Sequence, residues 1–319
     1  MTSFGFTLSS EERGPAELVS NAARAEDAGF EFCAISDHFH PWIQEQGHSP
    51  FVWAVLGGVA KATRHIEVGT AVTCPILRVH PTAVAHASAT AALLFEGRFF
   101  LGLGTGEALN EHVTGERWPP PDTRLEMLEE AIGVIRQLWS GETIDYRGTY
   151  YTVENARLFD PPSTPPRIVV SGFGPRATEL AARRGDGYFG HGPKPEPVEQ
   201  YHQSGGRGPT YAQIDVCYGA DEDACRETTH RYWPNSGFPG QLAQDLPTWT
   251  HFEQLASLVS VDAAARDVPC GPNLDGIVEL TRSYRDAGYD HLYFHQIGPD
   301  QDAFFEIWES ELGKALAEL

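Results

Sequence analysis

Short runs rich in β-branched and aromatic residues return eight times along the chain, and helically spaced stretches separate most successive pairs. The runs are SFGFTL (3–8), FEFCAIS (30–36), IEVGTAVT (66–73), RFFLGLG (98–104), RIVVSGF (167–173), GYFGHG (187–192), QIDVCYG (213–219) and HLYFHQI (291–297). In AELVSNAARAEDAGF, Leu18, Ala22, Ala25 and Ala28 recur near the i, i+3, i+4 spacing of one helix face, and Gly29 ends the pattern. Strand followed by helix, repeated, builds a parallel sheet. Eight units close most simply into an α/β (β/α)8 barrel, whose active face is formed by the loops after the strands; a doubly wound open sheet is the alternative. Two stretches break the alternation. Residues 142–159 read as a β-hairpin with Arg147-Gly148 at its turn, and residues 233–275, rich in Pro, Gly and Gln, carry one helical run near 249–260. Both are expected as insertions in a single 1–319 domain, the second as a lid or substrate wall.

Composition narrows the class. The 319 residues suit one barrel, and no apolar run approaches the ~18 residues that would span a bilayer. The opening MTSFGFTLSSEERG has no basic segment followed by an apolar one, so a cytoplasmic location is expected. Cys33, Cys74, Cys217, Cys225 and Cys270 are odd in number and never spaced C-x-x-C, which fits neither a disulfide framework nor a zinc site. A formal charge of −21 repels phosphate backbones, so neither nucleic-acid nor membrane partners are expected. An anionic ligand would need a local device such as a helix N-terminus or a nest of backbone N–H groups.

Polar residues gather where strands end. ISDHFHPW (35–42) places Asp37, His38, His40 and Trp42 after the second run. Histidine titrates near neutrality and serves as acid or base, but in a loop it is equally at home as a hydrogen-bonding residue. GLGTGEALNE (102–111) follows the fourth run, where Gly104 and Gly106 let a planar or phosphorylated ligand approach the backbone beside Glu107 and Asn110. As a dinucleotide fingerprint it is weak, because Glu107 stands where a third glycine belongs. Ser171, Gly172, Phe173 and Gly174 repeat the glycine-rich theme after the fifth run, so one large ligand across several strands is indicated. Glu11 and Glu12, after the first run, read as partners of a helix dipole.

SDHF-x-PW, G-H-x-P-F, L-G-x-G-T-G-E-A-L-N-E, R-Q-L-W-S-G and the closing H-L-x-F-H together resemble the F420-dependent glucose-6-phosphate dehydrogenase group of the luciferase-like flavin and deazaflavin oxidoreductases. The likeness covers nearly the whole chain and thins between about 233 and 275. It implies a (β/α)8 barrel, a homodimer, and the deazaflavin coenzyme F420 held at the strand ends. Asp37 would then contact the ring system, Ala71-Val72 would form a non-prolyl cis peptide behind it, and Gly106, Glu107 and Asn110 would line it. Cys74 stands where a family member has threonine. Ser171, Gly172, Phe173 and Gly174 would hold the cofactor's phosphate through backbone N–H groups. The implied reaction moves a hydride between an alcohol or hemiacetal carbon and C5 of the deazaflavin. His38, at a pKa near neutrality, would be the base, and Glu107 would supply a proton from the opposite side of the ring. Trp42 and Glu11 would orient the substrate. Of the basic residues that family members gather around a sugar phosphate only Lys194 has a counterpart, since Ala243-Gln244 replaces a basic pair and Arg266 is displaced. An uncharged alcohol, sugar or related carbonyl is therefore the expected substrate.

Other readings share the pattern. His38-x-His40 at a strand end also suits a metal-dependent barrel hydrolase, with His191 and His295 the only further candidates. A flavin could replace the deazaflavin, as in two-component monooxygenases, and a non-catalytic barrel could bind the cofactor as a store or sensor.

Overall fold

The computed structural model describes residues 2–319. Eight parallel strands close into a barrel: β1 (Ser3–Leu8), β2 (Phe32–Ile35), β3 (Glu67–Thr70), β4 (Phe99–Leu103), β7 (Arg167–Ser171), β8 (Gly187–Gly190), β9 (Thr210–Val216) and β10 (His291–Gln296). Around the barrel the order is β1-β10-β9-β8-β7-β4-β3-β2, which removes the open-sheet alternative. The two remaining strands, β5 (Ile144–Arg147) and β6 (Thr152–Ala156), form the antiparallel hairpin expected between 142 and 159.

Most strand positions are apolar on both faces because both are covered, the polar exceptions including Gln213, Asp215 and His295. In β4, Phe99, Leu101 and Leu103 face the surrounding helices while Phe100 points into the lumen. The lumen is plugged by Phe32, Phe100, Val169, Phe189, Tyr211 and Tyr293; Phe32 meets Tyr211 edge-on at 5.4 Å, and Phe100 stacks on Tyr211 at 5.4 Å. Gly69 belongs to this packing: a Cβ there would lie 2.2 Å from the Phe100 ring, so only glycine lets that ring cross the lumen. Proline opens the helices Pro15–Asp27, Pro81–Leu94, Pro121–Leu138, Pro175–Arg184 and Pro195–Gln203, where its missing N–H costs nothing.

Strand nine departs from the sequence reading. The run QIDVCYG was expected at 213–219, but the ladder covers Thr210–Val216. Asp290 accepts a bond from the Thr210 N–H at 2.8 Å and pulls pairing toward the N-terminal side. Cys217 keeps only an isolated bridge to Cys270. In the segment after Tyr232 the helix read near 249–260 is present as Trp249–Ala256, ending earlier, with short helical turns on either side. Its Phe252 is fully buried against Trp42, Ile43 and Leu109. Among the described residues no helix is long and apolar enough to cross a membrane.

Candidate active site at the strand ends

The C-terminal ends of β1 and β2 bring Glu11 and His38 together. Glu11 is not an exposed dipole partner: it is 2% exposed, and its Oε1 lies 2.9 Å from His38 Nδ1. The contact is an ion pair, with the ring N–H out of line for a straight hydrogen bond. Glu11 Oε2 accepts from the Ser36 hydroxyl at 2.7 Å and the Ser9 hydroxyl at 3.1 Å. Both Glu11 oxygens are thus engaged within the protein. Burial pushes the His38 imidazolium down, but the adjoining Glu11 charge, reinforced by Glu107 and Asp37, outweighs it and raises the pKa to about 9. The near-neutral base expected from the sequence is therefore corrected. At pH 7 His38 is a cation able to give a proton.

Glu107 stands on the other side of the imidazole, its Oε2 3.9 Å from His38 Nε2. A planar ring sandwiched between two groups needs about 7 Å, twice a van der Waals contact. The two residues therefore share one side of any flat ligand, and the expected approach from opposite sides is corrected. Trp42, nearly buried, meets the His38 ring edge-on at 5.0 Å and leans on Phe252 at 5.1 Å, forming a wall between the histidine and the helix Trp249–Ala256. His40 is oriented elsewhere, its Nδ1 donating to the Leu109 carbonyl at 3.2 Å. The two histidines of the H-x-H pair thus answer to different partners, and among the described residues no cluster of three or more potential ligands has metal-binding geometry.

The residues expected to hold a cofactor divide into supports and surfaces. Asp37 is a support: Thr73 donates to it at 2.7 Å and Arg78 Nη2 at 2.9 Å, which ties the end of β2 to the segment after β3. Arg78 also faces Glu111, and burial pushes the Glu111 carboxyl up, offset in part by Arg78. Within the tied segment the Ala71–Val72 peptide is cis, and both residues pack on the lumen cluster. Asn110 accepts from the Phe39 and His40 N–H groups at 2.9 and 3.0 Å, while its own Nδ2 is buried without a partner. Gly106 has φ +67°, and a Cβ there would lie 2.6 Å from Cys74 Sγ. Cys74 is thus packed beneath the glycine, its thiol pushed up by burial and by Glu111. In the 171–174 loop the Gly172 N–H donates to the Phe189 carbonyl at 3.2 Å and is not free. Phe173 is exposed, and Gly174 precedes the helix Pro175–Arg184 with open space where a side chain would project. Lys194 is exposed after β8, the strand diametrically across the barrel from β2.

A second buried histidine, named from the sequence only as a possible metal ligand, is held by two acids that sequence reasoning missed. His295 of β10, 2% exposed, places Nε2 2.8 Å from Glu12 Oε1 and Nδ1 2.9 Å from Asp215 Oδ1. The Trp233 indole N–H also donates to Glu12, at 2.6 Å. Burial lowers the His295 pKa, but the two carboxylates outweigh it and raise it to about 10. Neighbouring Glu11 and Glu12 thus serve different histidines, one on each side of β1. A histidine on a lumen-facing strand position was the available signal. Its two acidic partners, 80 and 283 residues away, carried none.

Comparison with known proteins agrees with this architecture. The model of the luciferase-like monooxygenase family matches residues 1–291. An F420-dependent glucose-6-phosphate dehydrogenase from Microbacterium testaceum is 34% identical over 322 residues, covering 97% of this chain and 96% of that protein. One of the same name from Kribbella flavida is 33% identical over 329 residues, covering 99% and 98%. Among solved structures, an F420-dependent secondary alcohol dehydrogenase in complex with an F420-acetone adduct superposes with a TM-score of 0.91 at 27% identity, covering 99% of each chain. A full-length barrel and a family match over 291 of its 319 residues leave one assignment: this chain belongs to the luciferase-like monooxygenase family.

Proposed function

We propose that this chain is a coenzyme F420-dependent oxidoreductase acting on a CH–OH carbon or its carbonyl counterpart. The observation that carries the reading is the Glu11–His38–Glu107 arrangement, a buried charged imidazole with one ring nitrogen aimed at the barrel mouth beside Gly106 and Asn110. The residues fit a flat, anionic cofactor. Asn110 has a buried Nδ2 with no partner, and positive-φ Gly106 leaves a surface where a side chain would strike Cys74. The N-terminus of Pro175–Arg184 offers backbone N–H groups to a phosphate on a chain of charge −21. Asp37, Ala71, Val72, Cys74, Ser171, Gly172, Phe173 and Gly174 would then form or support that cradle, with Phe173, Gly174 and the helix start supplying the phosphate N–H groups.

Bound F420 would supply the hydride acceptor or donor. His38 exchanges a proton at Nε2 with the substrate oxygen, giving it during carbonyl reduction and taking it during alcohol oxidation. Glu11 holds the imidazole and its charge, Glu107 handles the second proton, and Trp42 with Phe252 limits water. Because His38 is cationic at neutral pH, carbonyl reduction starts from the correct protonation state and alcohol oxidation does not.

An uncharged alcohol, sugar or carbonyl is the favoured substrate class. The mouth carries carboxylates, and Lys194 alone is a poor phosphate clamp. The test is titration of the purified protein with oxidised F420, then a panel of alcohols, sugars and glucose 6-phosphate read by loss of deazaflavin absorbance. Failure to bind F420 overturns the cofactor, and rapid turnover of micromolar glucose 6-phosphate overturns the substrate class.

The helices Val52–Ala62 and Pro81–Leu94 expose a groove bordered by Phe51, Trp53, Gly57, Ala87 and Leu94. It supports a homodimer, for which light scattering should give twice the chain mass. Five free cysteines suit the reducing cytoplasm, and the negative charge disfavours nucleic acid and anionic membranes.

A further inference from the structure

We infer that Asp215 is a specificity-determining residue that accepts a hydrogen bond from a second donor group of the substrate and turns anionic substrates away. The inference rests on the dehydrogenase reading above and adds what the substrate must carry besides its reacting carbon. In β9, Ala212, Ile214 and Val216 face the helices, so Tyr211, Gln213 and Asp215 alternate into the lumen. Asp215 is the last of these before the mouth. Its Oδ1 is fully engaged, receiving His295 Nδ1 at 2.9 Å and Gln213 Nε2 at 2.7 Å. Its Oδ2 has no partner among the described residues, and the side chain is 35% exposed. One oxygen is therefore fixed and the other is unpaired on a partly exposed side chain.

The carboxylate is built to stay charged and still. His295 lies behind it, buried and clamped from its far side by Glu12, which Trp233 and the Gly298 N–H hold in turn at 2.6 and 2.9 Å. Burial alone would push the Asp215 carboxyl up, but the His295 bond and charge, with Gln213 and nearby His191, bring it below the usual range. An anion fixed in this way selects donors, hydroxyl or ammonium, and repels phosphate and carboxylate. The positions of β2 and β9 set the spacing. They are three strands apart in the closed order, roughly 14 Å between backbones for an eight-stranded barrel. With the side chains of His38 and Asp215 reaching inward, the reacting carbon and the second donor are separated by several bonds.

The experiment pairs secondary alcohols carrying a second hydroxyl with their methyl ethers: 1,2-propanediol, 1,3-butanediol and 1,4-pentanediol, each against the ether at the terminal oxygen. 5-Amino-2-pentanol and 4-hydroxypentanoate are the cationic and anionic arms. The holoenzyme is assayed with F420 in both directions, using the matching ketones for reduction. In wild type, kcat/KM for at least one diol should exceed that of its ether tenfold or more, mainly through KM, with the anion poorest. Asp215→Asn should cut the diol-to-ether ratio at least tenfold and improve the anion relative to the diol. Equal use of diols and ethers within twofold by wild type overturns the inference without needing any variant. A ratio that survives in folded Asp215→Asn overturns it as well. Turnover of every alcohol without discrimination leaves the dehydrogenase reading standing, whereas no turnover of any member in either direction fails both.

Discussion

The Oε1 atom of Glu11 lies 2.9 Å from Nδ1 of His38, and neither residue has more than about a tenth of its side chain exposed. A buried acid and a buried imidazole thus stabilise each other's charged forms. Burial works against each charge, but the partner outweighs it, moving His38 up to about 9 and Glu11 down to about 2. Without Glu11, burial lowers the His38 pKa, and without His38, burial raises that of Glu11.

His38→Ala should lower turnover by about 10²–10⁴-fold while changing the F420 dissociation constant less than threefold, since the imidazole acts on the substrate oxygen. Fluorescence titration and steady-state rates check the pair. Equal loss of both would reassign His38 to cofactor binding.

The raised His38 pKa gives the two directions opposite pH profiles. Carbonyl reduction should fall as pH rises through about 9, and alcohol oxidation should climb toward the same value. Glu11→Gln removes the main raising charge, so both limbs should move to lower pH. Stability follows the same linkage. The His38 contribution is complete below its ordinary 6.5 and is lost as pH rises through about 9, and the Glu11 contribution is lost as pH falls from 4.5 toward 2. Thermal melting should therefore be highest between these windows.

Arg78→Met should destabilise the fold by about 3–5 kcal/mol, because it strands Asp37 and Glu111 as buried acids without their common cation. Chemical denaturation measures this. Near-wild-type stability would mean that Thr73 and the backbone suffice.

Gly106→Ala forces a side chain into a left-handed position 2.6 Å from Cys74 Sγ. F420 affinity should fall tenfold or more, and adding Cys74→Ala should restore part of it by removing the sulfur. A binding titration on both variants reads the result, and the absence of any rescue would place the strain in the backbone alone.

Phe252→Ala empties a fully buried position that docks the helix Trp249–Ala256 and should cost about 3–5 kcal/mol of local docking. Limited proteolysis should then cut near residues 242–258 faster than in wild type, with KM rising as Trp42 loses its backing.

Much of the barrel was legible because its signals are local. RFFLGLG announces a strand covered on both faces, and Pro and Gly punctuate the helices whatever lies elsewhere in the chain. Positions after strands likewise marked Asp37, His38, Trp42, Glu107 and Asn110 as one neighbourhood. What failed was assigning partners. Glu11 looked like a surface acid because no short-range pattern announces a histidine at position 38, and Arg78 drew no notice although it carries two buried acids. The register of β9 slipped because Asp290, distant in sequence and just before β10, sets where pairing starts.

The chain by itself determined a closed run of eight strand–helix units with its chemistry at the strand ends, because periodicity and punctuation act within a few residues. Only the tertiary structure decided which charges meet. It turned adjacent Glu11 and Glu12 toward different histidines, brought Glu107 to the same side of His38, and left one oxygen of Asp215 free at the mouth. Protonation follows from burial and from neighbours across the barrel, and chain closure sets both.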